Sequence, residues 1–313
     1  MKATVLVPTF RRPDSLRAAL QSIAAQRDLS LIQRVIVVDN DPQASATDVV
    51  RTFIKTAPFP VILVHAPDPG VANARNAGVA AAQDAEFIAF LDDDETASPD
   101  WLSGLLHTQA TTAADVVFGP IRGQAPSAPA AQRAFIEEFF SRKGPTSSVV
   151  IDRSYGCGNS LMRVSTALSS PVPFAVEANE TGGEDDMLFA RLSSQGAVYA
   201  WAADAWVDEH APTHRATLSY VMKRAFAYGQ GPSQTSAQQR KPFAVARWMA
   251  IGVAQLIFHG GMGLMMWITR RSSAYAQFRK AIEGLGKLLW FKNLEPKLYG
   301  QAELERGSNR SDF

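Results

Sequence analysis

The sequence predicts an α/β fold, a mainly parallel sheet flanked by helices, with a helical tail after it. Three observations carry this. Short apolar runs alternate with helical patterns through the first third of the chain, and strands joined through helices lie parallel. Those apolar runs end in polar residues at corresponding places. Further on, the 21 residues from Trp248 to Ile268 contain no Asp, Glu, Lys or Arg.

Each element follows from its pattern. ATVLV (3–7) reads as a buried strand, and Leu16, Leu20, Ile23 and Ala24 mark one face of the helix after it. VIVVD (35–39) is a second strand, ending in an acid, and VILVH (61–65) is a third. ANARNAGVAAAQ (72–83) is a helix rich in small residues, and EFIAFL (86–91) is a fourth strand. Ser98-Pro99-Asp100 combine an N-cap, a first-turn proline and an acid suited to the positive end of a helix, which runs through Leu106. Residues 123–148, rich in Gly, Pro, Ser and Ala around the helical piece QRAFIEEFF, read as a mobile connection. Residues 180–192 form a helix behind an acidic start. From about Arg306 the chain reads as a frayed terminus. The expected division is a sheet domain over 1–240 and a helical region over 241–313.

Composition narrows the function classes. The 313 residues are 46% hydrophobic, enough for a sizeable core and against global disorder. A formal net charge of +1 leaves no broad basic excess to neutralise phosphates, so nucleic acid is not an expected partner. The single cysteine, Cys157, excludes an intramolecular disulfide and fits a reducing compartment. The first apolar run is too short for a signal-peptide core, so the front of the chain is expected in the cytoplasm.

On a parallel sheet, ligands bind beyond the carboxyl ends of the strands. Asp92-Asp93-Asp94 follow EFIAFL there. Side chains alternate along an extended chain, so Asp92 and Asp94 are expected on one side and Asp93 on the other. Two carboxylates converging at a strand end make a hard oxygen site for Mg²⁺ or Mn²⁺, to which a diphosphate would add ligands. A solvated acidic loop is the competing reading. The position after a buried strand, in register with other polar strand ends, favours the metal.

The second cluster is Gly182-Gly183-Glu184-Asp185-Asp186, ahead of the helical MLFARL. Acids at a helix start can be ordinary caps, worth ~1 kcal/mol. Three acids behind two glycines exceed that need. Glycines admit close approach of an acceptor, and a carboxylate here is placed to act as general base toward a sugar hydroxyl.

These motifs resemble the family 2 glycosyltransferases, with their GT-A nucleotide-diphospho-sugar transferase fold. The resemblance runs through VLVPTFRRPDSLRAALQSIAAQ (5–26), VIVVDND (35–41), GVANARNAGV (70–79), FLDDDE (90–95), GCGNSLMRVSTA (156–167) and GGEDDMLFARLSSQG (182–196). It covers about residues 3 to 230. Each motif is loose alone; their order and spacing together are specific.

The resemblance implies a role for each matching position. Pro8, Thr9 and Arg11 line the nucleotide pocket, Asp39 accepts a hydrogen bond from the base, and Arg75 lies near the donor. Asp92 contacts the nucleoside and Asp94 holds the metal. Asp185 is the catalytic base, with Glu184 its neighbour, and Asn159 shapes the acceptor side. A third metal ligand is expected from His210 in WVDEHAPTHR, with His214 as second candidate. Simpler readings stay open. Asp39 and Asn159 are both good turn chemistry, Arg75 fits a solvated helix arginine, and His210 a structural histidine. Arg215 could face the diphosphate or pair with an acid. Processive synthases of the family carry Q-x-x-R-W. Here Arg247-Trp248 are present but Ala244 stands in place of Gln, and at most one span exists, so single sugar additions are expected.

A membrane span needs ~20 apolar residues. Trp248–Ile268 has that length, Trp near both ends, and Arg247 and Arg270-Arg271 as flanks. Gln255, His259 and four glycines fit instead a buried helix of a soluble domain. Membrane attachment is the favoured reading, with AIEGLGKLLWF (281–291) along the surface.

The expected protein is a metal-dependent enzyme at the cytoplasmic face of the inner membrane, inverting as the resemblance implies. It would move one sugar from a nucleotide-diphospho-sugar to a saccharide or lipid-linked acceptor in cell-surface polysaccharide or glycolipid synthesis. Two other classes compete. A sugar-nucleotide nucleotidyltransferase would need a Gly-rich phosphate loop where Pro8–Arg12 stands. A non-catalytic membrane-bound module that binds nucleotide sugar is disfavoured by the intact acids at 92, 94 and 185.

Overall fold

The computed structural model describes residues 1–179 and 182–296. The first strand, β1 (Ala3–Thr9), is buried along its whole length. Helix α1 (Pro13–Ala24) begins on a proline, whose fixed φ and missing N–H suit a first turn, and it buries Leu16, Ala19, Leu20 and Ile23. The chain continues through β2 (Ile32–Asp39), α2 (Thr47–Ile54), β3 (Val61–His65), α3 (Val71–Ala81), β4 (Phe87–Phe90) and the short β5 (Glu95–Ala97). Helix α4 (Trp101–Thr112) starts after Ser98-Pro99-Asp100 rather than on it, because the Trp101 N–H closes a turn on the Ser98 carbonyl. Then follow β6 (Val116–Phe118), β7 (Ile121–Gln124), α5 (Ala130–Phe140), β8 (Val149–Ile151), β9 (Ser160–Arg163), α6 (Val164–Ala167), α7 (Glu184–Ser194), β10 (Tyr199–Trp201) and β11 (Val207–His210). Three helices end the described chain: α8 (Leu218–Gln238), α9 (Pro242–Ile268) and α10 (Ala274–Leu288).

Eight strands form one sheet in the order β3-β2-β1-β4-β9-β6-β10-β8, and β5-β11-β7 form a smaller one. β3, β2, β1 and β4 run parallel, as their helical crossovers require. β9 is inserted antiparallel between β4 and β6, and β8 is antiparallel to β10. The sheet is therefore mixed; the sequence pattern carries β1 to β4, while the parallel pair β6 and β10 lies beyond it. The side-chain period of two sorts each strand between two cores. Val5, Val7, Val35, Val37 and Phe87 join Leu16, Trp101 and Leu105 on one face. Leu6, Ile36, Val38, Ile88 and Phe90 join Ala74, Val79, Leu188 and Phe189 on the other. A sheet covered on both faces exposes only its strand ends to a ligand.

Residues 1–122 and 141–210 make up this sheet unit; residues 123–140 and 211–296 make up a second, helical unit. The division falls at His210/Ala211 rather than at residue 240. Helix α8 belongs with the later helices because Gly229 lies flat on α10: a Cβ there would stand 2.1 Å from the Glu283 carbonyl oxygen. Residues 123–140 are not a loose connection either. Ile136 of α5 is fully buried with Ala125, Ala128, Ala211, Ala216 and Val221. Among the described residues α9, 27 residues long, is the one helix long and apolar enough to cross a membrane, and only 11% of its apolar window is buried.

Candidate active site

The site is built where the parallel strands end. Thr9 at the end of β1 pairs in register with Asp39 at the end of β2. After β4 the chain turns at once: the Glu95 N–H donates to the Asp92 carbonyl, 3.0 Å. A turn abolishes the alternation expected of an extended chain. Asp93 and Asp94, not Asp92 and Asp94, share a partner. Nη1 of Arg12 donates to Asp93 Oδ1 at 3.0 Å and to Asp94 Oδ2 at 2.8 Å. Asp93 also accepts the Thr9 hydroxyl at 2.8 Å. Asp92 meets Arg75 instead, 3.4 Å from Nη2. Glu95 closes the turn from below, its Oε2 accepting the Asp92 N–H at 2.9 Å.

Burial raises the proton affinity of these acids. It pushes the Asp93 carboxyl up to about 6 against the pull of Arg12, and it lifts Asp92 and Glu95 above the usual carboxylate range. The four acids Asp92, Asp93, Asp94 and Glu95 also outnumber the two arginines paired with them, Arg12 and Arg75. Asp92 Oδ2 and Asp94 Oδ1 carry no hydrogen bond among the described residues. A divalent cation fits this donor set: hard oxygens, two carboxylates, uncompensated charge. Among the described residues no group of three His, Cys, Asp or Glu side chains forms a cage. The remaining ligands would come from solvent and phosphate, as is usual for Mg²⁺.

The second acidic group arrives from α7. Gly182 and Gly183 have φ of 81° and 93°, so here glycine is required by the backbone itself. Glu184, 5% exposed, is ion-paired with Nη1 of Arg75. Arg75 on α3 therefore ties the start of α7 to the turn at Asp92, with its guanidinium 5.7 Å from the Phe174 ring centre. Burial works against its charge, but Asp92, Glu184 and Asp185 help to outweigh it, so the group stays a cation. It is not the solvated arginine of the simpler reading.

Asp185 is turned differently. It is half-buried, and its Oδ2 accepts the Cys157 N–H at 3.2 Å. Both Asp185 and Asp92 face the Gly156–Gly158 segment: a Cβ on Gly156 would lie 3.3 Å from Asp185 Oδ2, and one on Gly158 would lie 2.7 Å from Asp92 Oδ2. Arg142 holds that segment from behind, donating to the carbonyls of Gly119, Gly156 and Asn159. Burial pulls its guanidinium below the usual value, against Glu95, Glu209, Asp92 and Asp185.

The other expected residues fall into three settings. Thr9 and Arg11 lie at the site. Arg11 sits at φ 55° and pairs with Asp41 at 3.1 Å; a non-glycine residue held there marks a constrained loop. Pro8 is buried in β1 opposite Val38. Asp39 has no exposed surface, and its two oxygens accept the N–H groups of Asp41 and Ala46. It organises the loop after β2, and a base could reach only its remaining lone pairs. Asn159 does not present an acceptor-binding group. It is fully buried, takes the Trp101 indole N–H at 2.8 Å and donates to the carbonyls of Pro120 and Ala205. Every polar atom of its side chain is consumed in holding the turn at φ 47°.

His210 reaches Asp94 through its backbone: its N–H donates to the Asp94 carbonyl at 2.7 Å, while ring Nε2 lies 3.0 Å from the Thr96 hydroxyl. His214 and Arg215 belong to the helical unit, where Arg215 lies over the Tyr220 ring. Sequence reasoning missed Arg12, Glu95, Asp41 and Arg142. Arg12, Asp41 and Glu95 lie inside motifs already recognised and were within reach; Arg142, from the Gly/Pro-rich stretch, had no signal.

Similarity to known proteins agrees with this architecture. Residues 4–165 match the model of the family Glycosyl transferase family 2. The succinoglycan biosynthesis protein ExoM of Rhizobium meliloti (strain 1021) is 37% identical over 235 residues, 74% of this chain and 74% of that protein. Validoxylamine A glucosyltransferase of Streptomyces hygroscopicus subsp. limoneus is 27% identical over 246 residues, 70% of this chain and 54% of that protein. Among solved structures, the mannosyltransferase PcManGT from Pyrobaculum calidifontis, in complex with GDP-Man and Mn²⁺, superposes with a TM-score of 0.62 at 18% identity, covering 93% of this chain and 88% of that one. The chain belongs to glycosyl transferase family 2 and is a glycosyltransferase of GT-A-like fold.

Proposed function

We propose that the enzyme transfers a single sugar, with inversion, from a nucleotide-diphospho-sugar to a hydroxyl acceptor with the help of Mg²⁺ or Mn²⁺. The observation that carries the reading is the convergence of two carboxylates from different elements, Asp92 and Asp185, on the Gly156–Gly158 segment. Thr9, Arg11 and the loop held by Asp39 line the nucleotide side, with Pro8 behind them. Asp94 and Asp92 would hold the cation, with His210 as a further ligand once its ring leaves Thr96. Bound there, the cation would offset the charge of the departing diphosphate.

Asp185 takes the proton of the acceptor hydroxyl as that oxygen attacks the anomeric carbon. The bond to the nucleoside diphosphate breaks on the opposite side, and the configuration inverts. Glu184 cannot share this role, because it is spent on Arg75. Asn159 acts on the acceptor side only by fixing the turn beside Cys157. The similarity to a succinoglycan biosynthesis protein supports a saccharide or lipid-linked acceptor in cell-surface polysaccharide or glycolipid synthesis. The exposed apolar length of α9 supports attachment to a membrane. Its cytoplasmic face is where soluble nucleotide sugars and lipid-linked acceptors meet.

The test is Asp185→Asn. Removing a general base should lower turnover at least ~10²-fold and leave donor affinity near wild type, since the base acts on the acceptor. Wild-type turnover in this variant would refute the mechanism.

A further inference from the structure

Helix α9 carries an apolar stripe that stays largely exposed among the described residues. Val253, Ile257, Phe258, Leu264, Met265 and Ile268 are 44%, 71%, 63%, 53%, 55% and 68% exposed. At ~100° of turn per residue these six positions fall within one broad face of the helix. The opposite face belongs to α10. A Cβ on Gly252 would lie 2.6 Å from the Gly284 carbonyl oxygen, and one on Gly263 would lie 2.8 Å from the Phe278 ring. Between them His259 Nδ1 meets Gln277 Oε1 at 2.7 Å. The two helices are thus antiparallel neighbours, and the polar histidine of α9 is turned toward α10. On the far side of α10 lies α8, where Ser233 and Gln230 donate to the carbonyls of Lys287 and Leu289.

This packing decides how α9 meets a bilayer. The segment of α10 beside the middle of α9 contains Arg279, Lys280 and Glu283, with Arg279 and Glu283 ion-paired at 3.0 Å. If α9 crossed the bilayer, these charges would be drawn into hydrocarbon beside it, which is costly. If α9 lies flat, its bare stripe enters the acyl boundary while α10 and α8 stay on the water side. Charge says which surface it meets. Residues 240–296 hold nine Lys and Arg against two Asp and Glu, whereas residues 1–239 hold 19 against 25. The stripe is bordered by exposed Lys241, Arg247, Arg270 and Arg271. A second copy would bring the same positive surplus to the contact; anionic headgroups would neutralise it.

We infer that the helical unit is a monotopic anchor, with α9 lying in the plane of one leaflet of an anionic bilayer rather than across it. This deepens the membrane attachment proposed above and is independent of the catalytic assignment. The test uses the full chain and vesicles of phosphatidylglycerol mixed with phosphatidylcholine, or of phosphatidylcholine alone. Flotation should be at least tenfold stronger with the anionic vesicles and should fall in high salt. Ile257→Lys and Leu264→Lys should each weaken it at least tenfold while thermal unfolding and nucleotide binding stay as in wild type. Cys157 is buried, so Val253→Cys, Ile257→Cys, Leu264→Cys and Ile268→Cys can be labelled singly with a polarity-sensitive dye. Equal, shallow depths at all four support a flat helix. A depth profile rising to a maximum at mid-helix overturns it in favour of a span. Equal flotation with neutral vesicles overturns the anionic preference. A dye response without vesicles, together with a dimeric mass, assigns the stripe to a second copy. Failure of the wild-type chain to float with anionic vesicles, with sugar transfer intact, would overturn the anchor alone.

Discussion

The sheet unit and the helical unit depart from the usual partition of residues in opposite directions. In the sheet unit the charged groups Asp93, Glu95, Arg75 and Glu184 are only 5%, 2%, 5% and 5% exposed. In the helical unit Phe243, Ile257 and Ile268 are 91%, 71% and 68% exposed. Neither arrangement favours the folded chain by itself. A buried ion must be paired to offset its desolvation, and an exposed isoleucine returns almost none of its transfer free energy. The sheet unit manages the first problem internally: Arg12, Arg75 and Arg142 are each shared between several acceptors. The helical unit leaves the second problem open, and among the described residues its apolar stripe stays largely uncovered. The first kind of departure is matched to a small charged ligand, the second to an extended apolar surface.

The largest expected effect lies at the acids of the sheet unit. Asp94→Ala should abolish Mn²⁺-dependent binding of nucleoside diphosphate, because it removes one of the two carboxylates with a free oxygen. Titration calorimetry with and without Mn²⁺ measures this, and unchanged metal-dependent affinity would sink the metal assignment. Next comes Asn159→Ala. It strands a buried indole N–H and two carbonyls and places alanine at a left-handed φ, so denaturant unfolding should show a loss of about 3 kcal/mol.

Glu184→Gln keeps an acceptor near Arg75 but removes the buried charge. A loss of about 2 kcal/mol is expected, with more residual turnover than Asp185→Asn. If Glu184→Gln is inactive and Asp185→Asn active, the base is Glu184. The smallest effect is expected in the helical unit. Ile257→Ser should change unfolding free energy in lipid-free buffer by less than ~0.5 kcal/mol, since the side chain is already largely in water. A large loss there would mean that the stripe is covered within the protein after all.

Local pattern in the sequence determined much of this molecule. The strands β1 to β4 and the face of α1 follow from periods of 2 and 3.6 within single segments. The acids at 92–94 and 184–186 follow from their places after an apolar strand and before a helix. The apolar length of α9 needs only composition. Tertiary structure alone decided the rest. β6, β9 and β10 are three or four residues long, too short to show a period, so the mixed half of the sheet was invisible. The turn after Asp92 exchanged the expected partners, because only Thr9, Arg12 and Arg75, from other elements, could show which way each carboxylate faces. Asn159 reads as turn chemistry until Trp101, Pro120 and Ala205 close around it. The helical unit joins residues 123–140 to 211–296 through contacts between distant segments. Local periodicity records which face of an element is apolar; it does not record which remote backbone will come near enough to cover it.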